Sequence, residues 1–170
     1  MDAFGRPDWD TFFMSLAFLT SQRSIDKHTK HGTVVTSYDN TILSVGYNGP
    51  PRGCIDENIP LERPDKYNFM AHSEENAIAN AARQGICLRG STFYVTGMPC
   101  AACFRKIINV GAEGVMYGPV TSSCVDEESE NAINIMKIGT PIILVKFNKK
   151  IEDIKSLLNQ TVNYVNERSG

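Results

Sequence analysis

An α/β fold, one mixed sheet covered by helices on both faces, is predicted by three observations. Two short β-rich runs come first, separated by turn residues. Strand-like and helix-like segments then alternate, as parallel crossovers require. The helical segments place their apolar residues at helical spacing, as helices lying on a sheet do.

The elements follow in order. Asp10 to Arg23 carries Phe12, Phe13, Leu16, Ala17 and Leu19 at roughly helical spacing, a first amphipathic helix. Thr33 to Tyr38 and Thr41 to Gly46 flank Asp39-Asn40, which reads as a hairpin with a two-residue turn. Gly49 to Asp65 holds Pro50, Pro51, Gly53, Pro60 and Pro64 and reads as a loop. Ser73 to Gln84 is rich in helix formers, with Gly85 where a helix would stop. Strand Thr92 to Thr96 leads into a second helix, with Pro99 in its first turn and Cys100 to Ile108 continuing it. Gly114 to Tyr117 reads as a strand and Glu127 to Lys137 as a helix. Pro141 to Val145 reads as a buried strand, and Ile151 to Val165 closes the chain with a helix. That makes five strands and no repeats.

Composition narrows the function. At 170 residues the chain reads as one domain, 1–170, long enough to bury a core. A formal net charge of −2 offers no electrostatic footprint for a nucleic-acid partner. Five cysteines do not make an even disulfide set, which fits a reducing, cytoplasmic setting; Cys54, Cys87 and Cys124 read as buried or incidental thiols. Met1 to Asp8 has no basic-then-apolar signal pattern, and no apolar run is long enough for a membrane partner.

The chemistry lies in His72-Ser73-Glu74 and Pro99-Cys100-Ala101-Ala102-Cys103. One imidazole and two thiolates suit Zn2+ and leave a fourth tetrahedral position for water. Cysteines three apart on a helix share a face and can grip one ion. His72 and Glu74 fall in the first turn of one helix, the cysteines in the first turn of another. Two positive helix ends then favour thiolates and a deprotonated water. Glu74 is placed to move protons and not to bind metal. A redox Cys-x-x-Cys would need neither the proline nor the upstream His-x-Glu, and no second Cys-x-x-Cys completes a zinc ribbon. The combination is the known signature of zinc nucleobase deaminases.

With those residues in place, the chain resembles the deoxycytidylate (dCMP) deaminases of the cytidine-deaminase-like superfamily. The likeness runs from about Arg23 to Val110. It includes Arg23-Ser24-Ile25-Asp26, Gly46 to Gly53, Lys66-Tyr67-Asn68-Phe69, His72 to Ile78 and Pro99 to Cys103. The resemblance implies a three-layer α/β/α sandwich around a mixed five-stranded sheet. It implies His72, Cys100 and Cys103 as zinc ligands and Glu74 as the proton shuttle. It implies conversion of dCMP to dUMP and ammonia by attack of activated water at C4, supplying dUMP for thymidylate synthesis, with backbone donors near Cys100 stabilising the developing charge. Asn48 would hold the sugar or pyrimidine, and Arg23 and Ser24 the phosphate end. A homo-oligomer, such as a hexamer, is implied, activated by dCTP and inhibited by dTTP with Mg2+ accompanying the triphosphate near Gly46 to Gly53. Rival readings are a deaminase of another cytosine nucleotide or nucleoside, a deaminase of tRNA adenosine, and a non-catalytic zinc-stabilised binding module.

Several residues also have plainer readings. Asn48 beside Gly49 is a turn signal, and Arg23 at a helix end complements the dipole. His28 and His31, with Lys27 and Lys30 around them, read as a solvated loop. Asp126, Glu127, Glu128 and Glu130 read as a helix N-terminal charge set. Ser73 stands where the family usually has alanine, and Glu75 where it often has an apolar residue. Gly118 to Cys124 replaces a segment that borders the substrate in the family.

Overall fold

Five strands form one sheet in the order β2-β1-β3-β4-β5 in a computed structural model that describes residues 5–168. Part of the amino-terminal stretch read for a signal pattern lies outside those residues. The elements are α1 (Trp9–Ser21), β1 (Gly32–Thr36), β2 (Ile42–Tyr47), α2 (Ser73–Gln84), β3 (Thr92–Gly97), α3 (Ala101–Asn109), β4 (Gly114–Val120), α4 (Glu127–Ile138), β5 (Ile143–Lys146) and α5 (Ile151–Arg168). β1 pairs antiparallel with both β2 and β3, while β3-β4 and β4-β5 are parallel. The sheet is therefore mixed, as expected.

Alternation along the strands sorts the core into two layers. Val34 and Tyr94 face one side and pack with Phe13 and Ala17 of α1. Their neighbours Val35, Phe93 and Val95 face the other side, where Ala77, Phe104, Ile107 and Ile133 bring in α2, α3 and α4. Ile154 of α5 joins Met14 and Phe147, so α5 lies on the α1 side. This is the three-layer α/β/α arrangement.

Local chemistry sets the boundaries. Asp8 caps α1, its carboxylate accepting the Thr11 N–H at 3.0 Å, so the helix starts one residue earlier than the apolar pattern indicated. Gly85 ends α2 in the left-handed region at φ 69°, as read from sequence. The hairpin differs from expectation. A register shift at Val35/Thr36 ends the ladder early, and Ser37 to Thr41 form the connection, with Asn40 at φ 67°. The Ser37 N–H donates to the Thr41 carbonyl at 2.9 Å, closing a longer turn than the two-residue one predicted.

Three more expectations need correction. Pro99 precedes α3 instead of starting it, because Cys100 is the N-cap with extended backbone (φ −72°, ψ 164°). β4 runs three residues further, through Gly118-Pro119-Val120. A side chain at 118 would sit 2.6 Å from the Thr96 carbonyl, so this strand approach requires glycine. β5 is not buried. It is the sheet's edge, with Ile143 and Val145 exposed.

Candidate active site

The site is assembled where two helices begin. β2 comes close to α2 at Gly46: a Cβ there would lie 2.3 Å from the Ser73 carbonyl oxygen and from the Ala77 nitrogen. Ser44 Oγ donates to the Ala77 carbonyl at 2.7 Å, and Asn76 Nδ2 to the Tyr47 carbonyl at 2.8 Å. Gly49 and Ala71 exchange backbone hydrogen bonds at 3.1 and 2.9 Å. The start of α2 is thus stitched to the Gly46–Gly53 loop, which fixes where His72 stands.

His72 is the N-cap of α2 and Cys100 the N-cap of α3, with Cys103 in the first turn of α3. The ligand atoms of His72, Cys100 and Cys103 lie within 4.8 Å of one another. His72 Nδ1 is 3.5 Å from Cys100 Sγ and 3.3 Å from Cys103 Sγ. Ligands of a tetrahedral zinc, at about 2.0 Å for nitrogen and about 2.3 Å for sulfur, stand about 3.5 Å apart. The donor set and its spacing therefore fit zinc. A hydrogen bond from Cys103, with further help from His72, pulls the Cys100 thiol down to about 4. Cys103 is pushed far up by its hydrogen bond to Cys100 and by burial, the opposite direction in the second member of a coupled pair.

Glu74 lies one residue inside α2 and is buried. Burial raises its carboxyl above the ordinary range, against the opposing pull of His72. Ser73 Oγ donates to Glu74 Oε2 at 3.0 Å. Ser73 has a single hydroxyl proton, so Thr33 of β1 is the donor in the 2.8 Å contact between Thr33 Oγ1 and Ser73 Oγ. A chain of hydroxyls thus aims the carboxylate. This gives the departure from alanine at position 73 a physical role.

Position 75 is explained in the same way. Glu75 Oε2 accepts the His72 N–H at 3.1 Å, the return half of a capping box, and Glu75 Oε1 pairs with Lys106 of α3. One side chain therefore ties together the two helices that carry the metal ligands. The ion pair is partly exposed and adds little by itself, about 0–1 kcal/mol. Its value is positional.

A cavity of about 60 Å³ opens beside His72, Glu74 and Cys100. Asn48 lines it, but its side chain is already engaged. Oδ1 accepts the His31 N–H at 2.7 Å, and Nδ2 donates to the Thr29 carbonyl at 2.9 Å. Ser24 is buried and its hydroxyl donates to the Asn48 carbonyl at 2.7 Å. Arg23 does not line this cavity. It lines a second one, of about 500 Å³, together with Ser24, Tyr47, Arg52 and Asn76. The Ala101 N–H, beside Cys100, is taken by Ser129 Oγ at 2.9 Å and is not free as a donor to substrate.

Two residues were passed over in the sequence, and a third was misread. Asp26 and Lys66 are both buried and form an ion pair at 2.6 Å in the cavity wall. Both fall inside the quoted family segments, which was the only signal. His31 is not in a solvated loop. It is half-buried against the cavity, and His28 is the surface one, 3.0 Å from Glu62. Cys54 and Cys87 are exposed and Cys124 lines the cavity, so none of these three is an inert core thiol. Ser122 and Ser123 also line it, as the unusual 118–124 segment led one to expect. The acidic cluster caps α4, with Asp126 Oδ1 accepting the Ser129 N–H at 2.8 Å.

The Asp26–Lys66 pair has a testable acid signature. Burial works to raise the Asp26 carboxyl, but Lys66 and the N–H groups of His28 and Thr29 outweigh it and hold it below its ordinary value. A carboxyl with a depressed folded pKa contributes stability above its unfolded value of about 3.9, lost as pH falls through the folded one. Asp26→Asn should cost about 3–5 kcal/mol at neutral pH, because it strands a buried ammonium. In urea melts the gap to wild type should narrow only below about pH 4. A constant gap down to pH 3 would remove the ion pair from this account.

The comparisons with known proteins agree with this geometry. A family-wide description of the "Cytidine and deoxycytidylate deaminase zinc-binding region" matches residues 7–119. The human deoxycytidylate deaminase is 35% identical over 153 residues, covering 86% of this chain and 84% of that protein. The deoxycytidylate deaminase of Mycobacterium phage D29 is 34% identical over 125 residues, 66% of this chain and 95% of that one. Among solved structures, the dCMP deaminase of cyanophage S-TIM5 in complex with dCMP and dUMP superposes with a TM-score of 0.69 at 26% identity. That match covers 84% of this chain and 98% of the other. Two helix N-caps converging on a zinc-compatible triad beside a buried glutamate, and a match spanning most of the chain, have one reading: the protein belongs to the cytidine and deoxycytidylate deaminase zinc-binding family.

Proposed function

We propose that this protein hydrolyses dCMP to dUMP and ammonia. The observation that carries the reading is the buried Glu74 carboxyl beside the His72–Cys100–Cys103 triad, opening on a shared cavity. His72, Cys100 and Cys103 would hold zinc, which when bound would supply a water activated as a nucleophile near neutral pH. Glu74 would accept a proton from that water and deliver it to N3 of the pyrimidine as the oxygen bonds to C4. It would then take the second proton from the hydroxyl now on C4 and pass it to the amino group, so that the C4–N bond breaks, ammonia leaves and the C4 carbonyl of dUMP forms. Its raised affinity for protons suits it to holding one between transfers. Ser73 and Thr33 keep its second oxygen oriented. Asn48 holds the cavity wall through both ends of its amide and borders the sugar or pyrimidine. Arg63 lines the same cavity and supplies a cation for the 5′-phosphate, since Lys66 is spent on Asp26.

The second cavity, with Arg23 and Arg52 against the loop after β2, suits a triphosphate effector. Deoxycytidine triphosphate as activator and thymidine triphosphate as inhibitor, each with Mg2+, is the assignment we make for it. A single deaminase domain assembled as a homo-oligomer in a reducing cytoplasm completes the proposal; the five unpaired thiols support that compartment. No helix among the described residues is long and apolar enough to cross a membrane.

Ammonia release from a panel of deoxycytidine, dCMP, dCTP and an adenosine-containing RNA tests the substrate. dCMP should be preferred to the nucleoside by roughly ten- to a hundred-fold, the worth of one charged phosphate contact. Equal use of nucleoside and monophosphate would refute the dCMP assignment and spare the deaminase one.

A further inference from the structure

His31 opens β1 immediately before Gly32, and its ring is held from several sides. Its backbone is clamped by Asn48, which accepts the His31 N–H and donates its own N–H to the His31 carbonyl at 3.1 Å. Its ring packs on β3 at Gly97, where any side chain would stand 3.0 Å from Cε1. Nδ1 lies 3.3 Å from Thr96 Oγ1.

Thr96 is buried, and its oxygen already accepts the Gly32 N–H at 3.1 Å. A buried hydroxyl also needs an acceptor for its own proton, and His31 Nδ1 is within reach; we assign the neutral ring accordingly, with Nδ1 accepting and the proton on Nε2. Nε2 is then a buried donor with no partner among the described residues. Such a group costs about 1–3 kcal/mol until an acceptor arrives. His31 lines the cavity that also holds Glu74 and His72. That cavity is open beside His72, Glu74 and Cys100, so a ligand entering it brings its own polar atoms to the walls.

Resting on the deaminase reading above, we infer that His31 reads the base: its Nε2–H donates to the ring carbonyl O2 of a cytosine seated over the metal triad. The chemistry selects this atom. The exocyclic amine at C4 leaves, and N3 takes a proton from Glu74. O2 alone remains an acceptor from substrate to product. A contact that stays constant through the reaction contributes to binding and leaves the chemical step alone. The same donor would find no ring carbonyl on adenine, which adds discrimination against that base.

Steady-state kinetics of zinc-loaded His31→Leu and His31→Gln, on dCMP and on 2-thio-dCMP, test the inference. Sulfur at position 2 is a poor acceptor. His31→Leu should raise KM for dCMP roughly ten- to a hundred-fold with kcat and zinc content nearly unchanged, the equivalent of one lost buried hydrogen bond. On 2-thio-dCMP the same variant should differ from wild type by less than about three-fold, since the contact is already broken there. His31→Gln, which keeps an N–H donor, should recover part of the loss. Should leucine disturb the wall, His31→Phe makes the same comparison with a ring of similar outline. Equal losses on both substrates, or KM for dCMP within about two-fold of wild type, would return Nε2 to a buried water and overturn the assignment. If wild type prefers another cytosine compound, the comparison is made on that compound and its 2-thio analogue. A wild type inactive on every cytosine compound would overturn the deaminase reading and this inference together.

Discussion

Glu74→Gln should keep its zinc and its fold and lose nearly all turnover. The amide matches the carboxylate in size, and its oxygen can still accept the Ser73 hydroxyl proton. It cannot accept a proton from water, and every later transfer depends on that one. General acid-base groups contribute about a hundred- to ten-thousand-fold, and a residue serving several proton transfers belongs at the upper end or beyond. Stability should not suffer, because burial already disfavours the charged form of Glu74 and a neutral amide escapes that penalty. Ammonia release, metal analysis and a thermal melt on one preparation would check all three statements. More than roughly a tenth of wild-type turnover would move the proton shuttle to another residue.

Cys103→Ala should lose metal and activity together. Cys103 is buried, on the first turn of α3, and among the described residues His72 and Cys100 complete the set. Removing one of three protein ligands leaves two donors and an enlarged gap on the face of a helix. Metal analysis should then find well under one equivalent per chain, against one for wild type. The loss should also be felt as stability, since metal that binds only the folded chain stabilises it by mass action. Wild type treated with a strong chelator should therefore melt lower and approach the variant. A metal-free variant that turned over dCMP normally would end the zinc reading altogether.

How much of this was legible beforehand depended on whether a feature is local. The α2 limits were read correctly because Ser73 to Gln84 and Gly85 carry helix propensity and a stop within the segment itself. The metal ligands were legible because their spacing is written in two short motifs, and the structure brings those motifs to within 4.8 Å. β5 was misread as buried because an apolar run looks the same in the middle of a sheet as at its edge. The hairpin turn was misread because a register shift lies in the pairing and not in either strand's composition. Arg23 was placed with the substrate's phosphate from its position in a family segment, yet the fold carries it to the second cavity. Ser73 and Glu75 were visible only as departures from the family pattern, and His31 was read as part of a solvated loop. Each acquires meaning from a partner far along the chain: Thr33, Lys106 and Thr96. Long-range pairs of that kind leave no trace in spacing.

The order of the strands leaves the sheet with two open borders, β2 and β5. An unpaired strand offers its backbone groups to any passing chain, and both borders carry exposed apolar side chains: Ile42 and Val45 on one, Ile143 and Val145 on the other. Natural proteins blunt such borders by keeping them brief and charged. β5 follows that rule, with four residues ending in Lys146. β2 has six residues and no charged side chain; its Val45 and Tyr47 carbonyls are taken by Asn80 and Asn76 of α2, and it leads into Asn48 in the cavity wall. Colloidal stability and catalysis thus place opposing demands on β2, and crowding or concentration should tell first on that border.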